Sequence, residues 1–352
     1  MLKKKMHTKD HLEEHAREET CTGVTWDHDK LMDMVRGFQP ACVIAAAAEL
    51  GLFDVLAERL CDAANAAAAL QCDLRGMTVL LDALAALGLL RKQNGVYSCA
   101  DGVADVLTAD APDSQLAMAR HLANCLRRWS RLARVVRTGR PADIAPSVRG
   151  ATGDAESFIE AMNDINRHSA QYLVKGLDLP PFTHLLDIGG GPATWTIAFL
   201  REYPNAHATL FDLPDVIPIA EKHVEAATLQ DRVHFVAGDM YRDELPRGAD
   251  LAWVSAIVHM NSREQNRDLF RKTYDALPAG GHVLIRDLVM TPERTKPTTG
   301  ALFAVNMLVA TDGGGTFTFD EFRDDLEAAG FRNARLIHEE PTMSSVVKAE
   351  KP

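Results

Sequence analysis

The stretch His184–Leu200 reads HLLDIGGGPATWTIAFL, and its reading decides the fold. Five residues, His184–Ile188, form a short apolar run of strand length. Three glycines follow, and an apolar helical pattern begins near Pro192. Gly189, Gly190 and Gly191 let the backbone turn sharply and pass close to a ligand. Proline suits a first helical turn. A helix start there offers free N–H groups and a positive dipole. Strand, glycine turn and helix together are the opening of a parallel α/β sheet.

The rhythm continues outward from that turn. Strand-like runs at Ala208–Phe211, Val233–Val236, Leu251–Ser255 and His282–Arg286 alternate with helical patterns at Thr194–Glu202, Val216–Ala227 and Arg263–Leu277. Arg335–Glu339 and Ser344–Lys348, with a turn at Pro341 between them, read as an antiparallel pair closing the sheet. The second strand ends in LFDLP, where Asp212 lies about 20 residues past the glycines, placed to accept from both hydroxyls of a ribose. The third ends in VAGDM, where Asp239 can meet an adenine amino group and Met240 can cover the ring. A dinucleotide site would want glycine where Thr194 stands. An S-adenosylmethionine site has no pyrophosphate to seat, and Asp187 ahead of the glycines fits it.

Toward the N-terminus the texture is Ala- and Leu-rich. Leu31, Met34, Val35 and Phe38 mark one helix face, and Val43–Leu56 and Met77–Leu87 read as further helices. In LLRKQNGVYSCA, Leu89–Lys92 and Val96–Ser98 flank Asn94-Gly95, a strong hairpin signal. Helices followed by a hairpin suggest a winged-helix-like module. Leu116–Val136 and Ala155–Lys175 are helical again. The first carries Arg120, Arg127, Arg128, Arg131, Arg134 and Arg137, a run that reads as a solvated face.

The 352 residues carry a net charge of −11. That balance argues against nucleic acid as partner, since phosphate neutralisation supplies most of such affinity. Acids also outnumber bases between Asp27 and Asp110, so a winged-helix transcription regulator is the weaker alternative. No apolar run reaches the roughly 18 residues of a membrane span, and no secretory signal opens the chain. The six cysteines, at 21, 42, 61, 72, 99 and 125, lack metal-site spacing and read as free thiols in a reducing cytoplasm.

LLDIGGGPAT, LFDLPDVI, VAGDMY, ALPAGGHVLIRD and EFRDDLEAAGF resemble the plant caffeic-acid-type O-methyltransferases and their bacterial relatives, a family of class I methyltransferases. A weaker similarity runs back through WSRLARVVRTGRP. The resemblance implies a seven-stranded Rossmann-like sheet with an antiparallel last strand, preceded by a mainly helical, winged-helix-like dimerisation domain. It divides the chain into a charged arm (1–25), the dimerisation domain (26–110), a helical roof over the substrate (111–178) and an S-adenosylmethionine-binding domain (179–352). It implies a homodimer formed through the N-terminal domain, with the partner's N-terminal segment lining the pocket.

The resemblance also implies roles. His259, in WVSAIVHMNS, matches the general base, and Asp287 an acid that brackets it. Gly189, Gly191, Asp212, Asp239 and Met240 match cofactor-binding positions, and Asp187, Gly190, Leu213 and Ser255 complete the expected set. Phe158, Met162, Asn306 and Met307 fall where relatives line the substrate pocket. His121 is expected to touch substrate too, and His168 and Met118 lie in the same roof. Four positions depart from the pattern: Met260-Asn261 follow the histidine in place of Asp-Trp, Ser255 replaces a lysine, and Thr316 stands where a second acid is usual.

The expected reaction moves a methyl group from S-adenosylmethionine to a hydroxyl of a small aromatic molecule by in-line displacement, leaving S-adenosylhomocysteine, without a metal. Readings that remain open are carbon or nitrogen methylation, and a family member that binds the cofactor for other chemistry.

Overall fold

The computed structural model describes residues 25–352. The expected arm over 1–25, apart from its last residue, lies outside them, as does Cys21. Helix His28–Arg36 starts at Asp27, whose carboxylate accepts from Lys30 N at 2.8 Å and caps the first turn. None of its residues is buried, and Leu31, Met34 and Val35 are exposed.

The expected helix over Val43–Leu56 is two helices, Phe38–Leu50 and Leu52–Glu58. Gly51 breaks it with a φ of 72°, which glycine adopts without steric cost. Helices Ala63–Ala69 and Leu74–Ala86 complete a core of Phe53, Leu56, Met77, Leu81 and Leu84. The hairpin forms as read: β2 (Leu90–Gln93) pairs with β3 (Val96–Cys99). Asn94 and Gly95, with φ of 50° and 80°, supply the two left-handed residues such a turn needs. A third strand, β1 (Cys61–Asp62), pairs with β3. Two residues are too few to show a period in sequence.

Two further expectations need correction. Leu116–Val136 divides into helices Leu116–Trp129 and Leu132–Thr138. At the break the Ser130 hydroxyl donates to Arg127 O at 2.7 Å, taking a carbonyl that belongs to the helix ladder. Ala155–Lys175 divides into Gly150–Asn166 and Ser169–Gly176, where Asn166 Nδ2 donates to Met162 O at 2.7 Å.

The C-terminal sheet comprises β4 (His184–Ile188), β5 (His207–Asp212), β6 (Val233–Ala237), β7 (Leu251–Ser255), β8 (His282–Asp287), β11 (Arg332–His338) and β12 (Ser345–Glu350). Their order is β11-β12-β8-β7-β4-β5-β6, with β12 antiparallel to both neighbours. A short parallel pair, β9 (Val289–Met290) with β10 (Phe317–Thr318), was not foreseen. Helices Thr194–Glu202, Ile217–Ala226, Arg263–Ala276 and Phe319–Ala329 flank the sheet. The first starts at Thr194, two residues after Pro192, because Ala193 is left-handed with φ of 63°.

Strands buried on both faces read as continuous apolar runs, and the pleat sends alternate residues to opposite sides. Leu251 and Trp253 enter one core with Trp195 and Phe199, while Ala252 and Val254 enter the other with Phe270 and Phe331. Trp253 lies 5.3 Å from Trp195 and 5.1 Å from Phe199, centroid to centroid. From β4 the chain lays β5 and β6 to one side, then β7 and β8 to the other. The crevice at that reversal, beyond the carboxyl ends of the strands, is where open α/β sheets seat ligands. Among the described residues no single helix is long and apolar enough to cross a membrane.

Candidate active site

The glycine loop leaves β4 under tight packing. A Cβ on Gly189 would lie 2.7 Å from Ile257 Cδ1, and on Gly190 2.6 Å from Leu210 Cγ. Gly189 and Gly191 have φ of 67° and 54°, but a Cβ on Gly191 would meet nothing within 4 Å. The loop is closed toward the sheet and open at Gly191. Asp212, at the end of β5, accepts from Gly191 N and from Leu213 N, each at 2.7 Å. Burial pushes its carboxyl pKa up, and those two backbone donors pull the other way. Leu213 is 47% exposed beside it.

Asp187 is placed differently from the expectation of ligand contact. It lies beneath the loop at 1% exposure and accepts from the Thr196 hydroxyl at 2.6 Å, bracing the helix start from below. Burial pushes its pKa up to about 7; the Thr196 bond opposes the rise and the Asp212 charge adds to it. The folded protein therefore keeps a proton that the unfolded chain releases near pH 3.8. This contribution to stability is whole below about pH 4 and is lost as pH rises through about 7. Asp187→Asn is expected to remove that slope. Its stability relative to the native protein should grow between pH 4 and 7, toward an upper bound of about 4 kcal/mol. Urea unfolding at stepped pH measures this, and parallel profiles would contradict it.

Asp239 is half-buried after β6, its Oδ1 accepting from Tyr241 N at 2.9 Å. Met240 and Ile257 pack against the core that contains Phe211. The Met240 carbonyl is held by Lys272 Nζ at 2.9 Å. Gly238, not singled out in sequence, has the Phe211 ring where a Cβ would be.

His259 sits in a 3-10 turn, Val258–Met260, after β7. It is 6% exposed. Its Nδ1 lies 3.0 and 2.9 Å from the two oxygens of Asp287, and its backbone N donates to the same carboxylate at 3.3 Å. An ionised carboxylate only accepts, so Nδ1 carries the hydrogen and Nε2 has the free lone pair. Phe303 meets the ring edge-on at 4.8 Å. The turn is braced on every side. Asn261 is fully buried, accepting from the Tyr241 hydroxyl at 2.6 Å and donating to Asn266 at 3.0 Å. Asn266 in turn donates to Val258 O at 3.0 Å. Ser262 and Gln265 form a capping box that starts the next helix. Gly315 N donates to His259 O at 2.9 Å, and a Cβ on Gly314 would stand 2.5 Å from that oxygen. Thr316 is buried nearby, its carbonyl accepting from Arg294 at 2.8 Å.

The pleat separates neighbours on β8. Asp287 turns to His259, while Arg286 turns to the opposite face at 3% exposure. There its Nη1 donates to Ser255 Oγ at 3.1 Å and its Nη2 to Asn166 Oδ1 at 2.8 Å, with the guanidinium 4.4 Å over Trp195. Burial lowers its pKa to about 10, and the charges of Asp287 and Glu340 oppose that fall. Ser255, expected at the cofactor, is thus tied to a buried arginine. An apolar strand with one arginine gives no sign of this in sequence.

Three helices carry the residues expected to line the substrate pocket. His121 packs on Phe158 at 5.1 Å, and Trp129 Nε1 donates to Asn306 Oδ1 at 2.9 Å. Met307 is buried and Met162 half-buried. His168 is exposed and paired with Asp113 at 2.9 Å. Among the described residues no group of three or more His, Cys, Asp or Glu is arranged to hold a metal ion.

Residues 129–332 match the O-methyltransferase domain family, and residues 32–110 match the O-methyltransferase dimerisation domain. The 3-hydroxy-5-methyl-1-naphthoate 3-O-methyltransferase of Streptomyces sahachiroi is 32% identical over 87% of this chain and 90% of its own length. The crystal structure of human N-acetylserotonin methyltransferase in complex with S-adenosylmethionine is similar with a TM-score of 0.78. It is 28% identical and covers 94% of this chain and 99% of that one. PigF with S-adenosylhomocysteine is similar with a TM-score of 0.82 at 27% identity, over 93% and 100%.

Proposed function

The chain belongs to the O-methyltransferases that carry an N-terminal dimerisation domain, and from that premise we propose that it methylates a hydroxyl of a small aromatic molecule, with S-adenosylmethionine as donor and His259 as general base. The observation that carries the reading is the His259–Asp287 pair, at 2.9 Å, on the same sheet edge as the glycine loop and Asp212.

The residues present fit the cofactor. Gly191 leaves the loop open on one side, and Asp212 stands at the strand end with its oxygens toward the loop. In this reading Asp212 accepts from the ribose hydroxyls, Asp239 and Met240 hold the adenine, and the backbone of Gly189–Gly191 flanks the amino-acid portion. When bound, the cofactor supplies an activated methyl group on a sulfonium. His259 Nε2 takes the proton of the acceptor hydroxyl, and Asp287 holds the ring and stabilises the imidazolium. Phe158, Phe303, His121, Met162 and Met307 offer flat and deformable apolar surface suited to an aromatic ring. The relative that acts on a hydroxynaphthoate supports an aromatic acceptor.

Residues 26–110 serve dimerisation in this proposal, 111–178 roof the substrate and 179–352 bind the cofactor. The exposed Leu31, Met34, Val35 and Phe38 support a homodimer through the N-terminal domain. Isothermal titration with S-adenosylmethionine and with NAD, followed by mass spectrometry of phenols incubated with enzyme and donor, tests the reading. Binding of the sulfonium alone and formation of a methyl ether are expected. Binding of NAD, or cofactor binding with no methyl transfer to any phenol, would contradict it.

A further inference from the structure

Arg286 is a buried cation whose partners are neutral. Its side chain leaves β8 on the face that carries Leu284, and its register partner on β7 is Ser255. Nη1 and Nη2 donate to Ser255 and Asn166, and Nε is buried with no acceptor. The two acids whose charges act on it are engaged elsewhere, Asp287 with His259 and Glu340 with His338 at 3.2 Å. Asp187, under the loop, is engaged with Thr196. A guanidinium taken out of water is costly unless an anion compensates. Among the described residues no carboxylate pairs with Arg286.

The guanidinium lies beside the glycine loop. It stacks over Trp195, the second residue of the helix that follows the loop. Ser255 ends β7, and Ile257, two residues on, is the side chain that a Cβ on Gly189 would strike. Asn166 ends helix Gly150–Asn166, and one turn earlier Asn163 accepts from Thr194, the first residue of the loop's helix, at 2.9 Å. The order β8-β7-β4-β5 puts Ser255 and Arg286 on one side of the loop and Asp212 on the other. The end of β7, where the guanidinium is held, and the end of β5, where Asp212 stands, are two strand spacings apart, about 10 Å. The extended arm of S-adenosylmethionine between ribose and carboxylate, a run of single bonds through the sulfur, spans a gap of that size. An acid thus stands where hydroxyls are to be accepted, and a cation where an anion is to be received.

We propose that Arg286 receives the carboxylate of the cofactor's amino-acid portion, and that Asn166 covers this contact with a neutral amide oxygen until the cofactor is bound. The proposal rests on the cofactor placement given above. Nε and Nη2 share the edge of the guanidinium that takes a carboxylate side-on, as a planar two-bond pair. That edge holds the one nitrogen without an acceptor and the one bonded to Asn166. A charged oxygen bonds a guanidinium more strongly than an amide oxygen does. The exchange therefore favours the bound state and gives Nε its acceptor.

Titration calorimetry on the full-length protein compares S-adenosylhomocysteine with its decarboxylated analogue, S-adenosyl-3-thiopropylamine, which differs by the carboxylate alone. The native protein is expected to bind the first more tightly by about 10- to 100-fold, the effect of one charge-assisted pair. In Arg286→Met the ratio is expected to fall close to one, through loss of S-adenosylhomocysteine affinity with the analogue bound as before. Arg286→Lys is expected to keep part of the ratio. Asn166→Asp sets a carboxylate of the protein on the same edge and is expected to lower the ratio as well. Thermal melting checks that each variant is folded, and Asn166→Asp decides the matter if Arg286→Met is not. A native ratio near one, a ratio that survives in Arg286→Met or in Asn166→Asp, or equal weakening of both ligands in Arg286→Met overturns the proposal while the cofactor site stands. No binding of S-adenosylhomocysteine by the native protein overturns the cofactor reading and this proposal with it.

Discussion

Replacing His259 with alanine is expected to lower turnover by about 100- to 10,000-fold, the usual worth of a positioned general base, while S-adenosylhomocysteine binds as before. A phenol of pKa about 10 is a poor nucleophile at neutral pH. Moving its proton to an ordinary imidazole is uphill by about 3.5 units, or about 5 kcal/mol. In the proposed mechanism Asp287, its two oxygens at 3.0 and 2.9 Å from Nδ1, holds the ring so that Nε2 is the nitrogen left to take the proton. Asp287→Asn is expected to impair the same step, because an amide N–H set against Nδ1 disfavours the productive tautomer. The comparison must be made on folded protein, since Asp287 also accepts from the backbone N of Leu288 at 2.8 Å and of His259 at 3.3 Å. Retained turnover in His259→Ala would remove the general-base assignment.

Asp212→Ala is expected to weaken cofactor affinity by about 100-fold. Two charge-assisted hydrogen bonds to a ribose contribute on the order of 3 kcal/mol together. The substitution also frees Gly191 N and Leu213 N, each now donating to Asp212 at 2.7 Å, so the loop loses its fixed shape as well. Since burial raises the Asp212 pKa, affinity should fall on acidification at a higher pH than an ordinary aspartate would give. Titration calorimetry over a pH series reads both effects. Unchanged affinity in Asp212→Ala would place the nucleoside elsewhere.

The sheet was legible because its determinants are local. His184–Ile188 and Leu251–Ser255 are apolar runs bounded by glycine or loop residues, and the structure places both strands at those bounds. Antiparallel closure by the last strand likewise followed from Pro341 between two short runs. The helical half was less legible. Its periodicity continues across Gly51, Ser130 and Arg167-His168, where one left-handed residue or side chains bonding carbonyls divide the helices. The family resemblance paired His259 with Asp287, yet nothing in the sequence pointed to what braces them. Asn261 looked like a departure from pattern and is a fully buried link between Tyr241 and Asn266. The glycines at 313–315 were visible as a run, but the need for Gly314 appears only with the His259 carbonyl against it. Arg286 was equally hidden, because burial and pairing belong to tertiary structure.

A crystal structure of the chain with S-adenosylhomocysteine bears most directly on this account. The account requires the ribose on Asp212, the adenine between Asp239 and Met240, and the sulfur facing His259 Nε2 across a gap walled by Phe158 and Phe303. A nucleoside bound away from Asp212, or a sulfur turned from His259 with the gap filled by side chains, would contradict it.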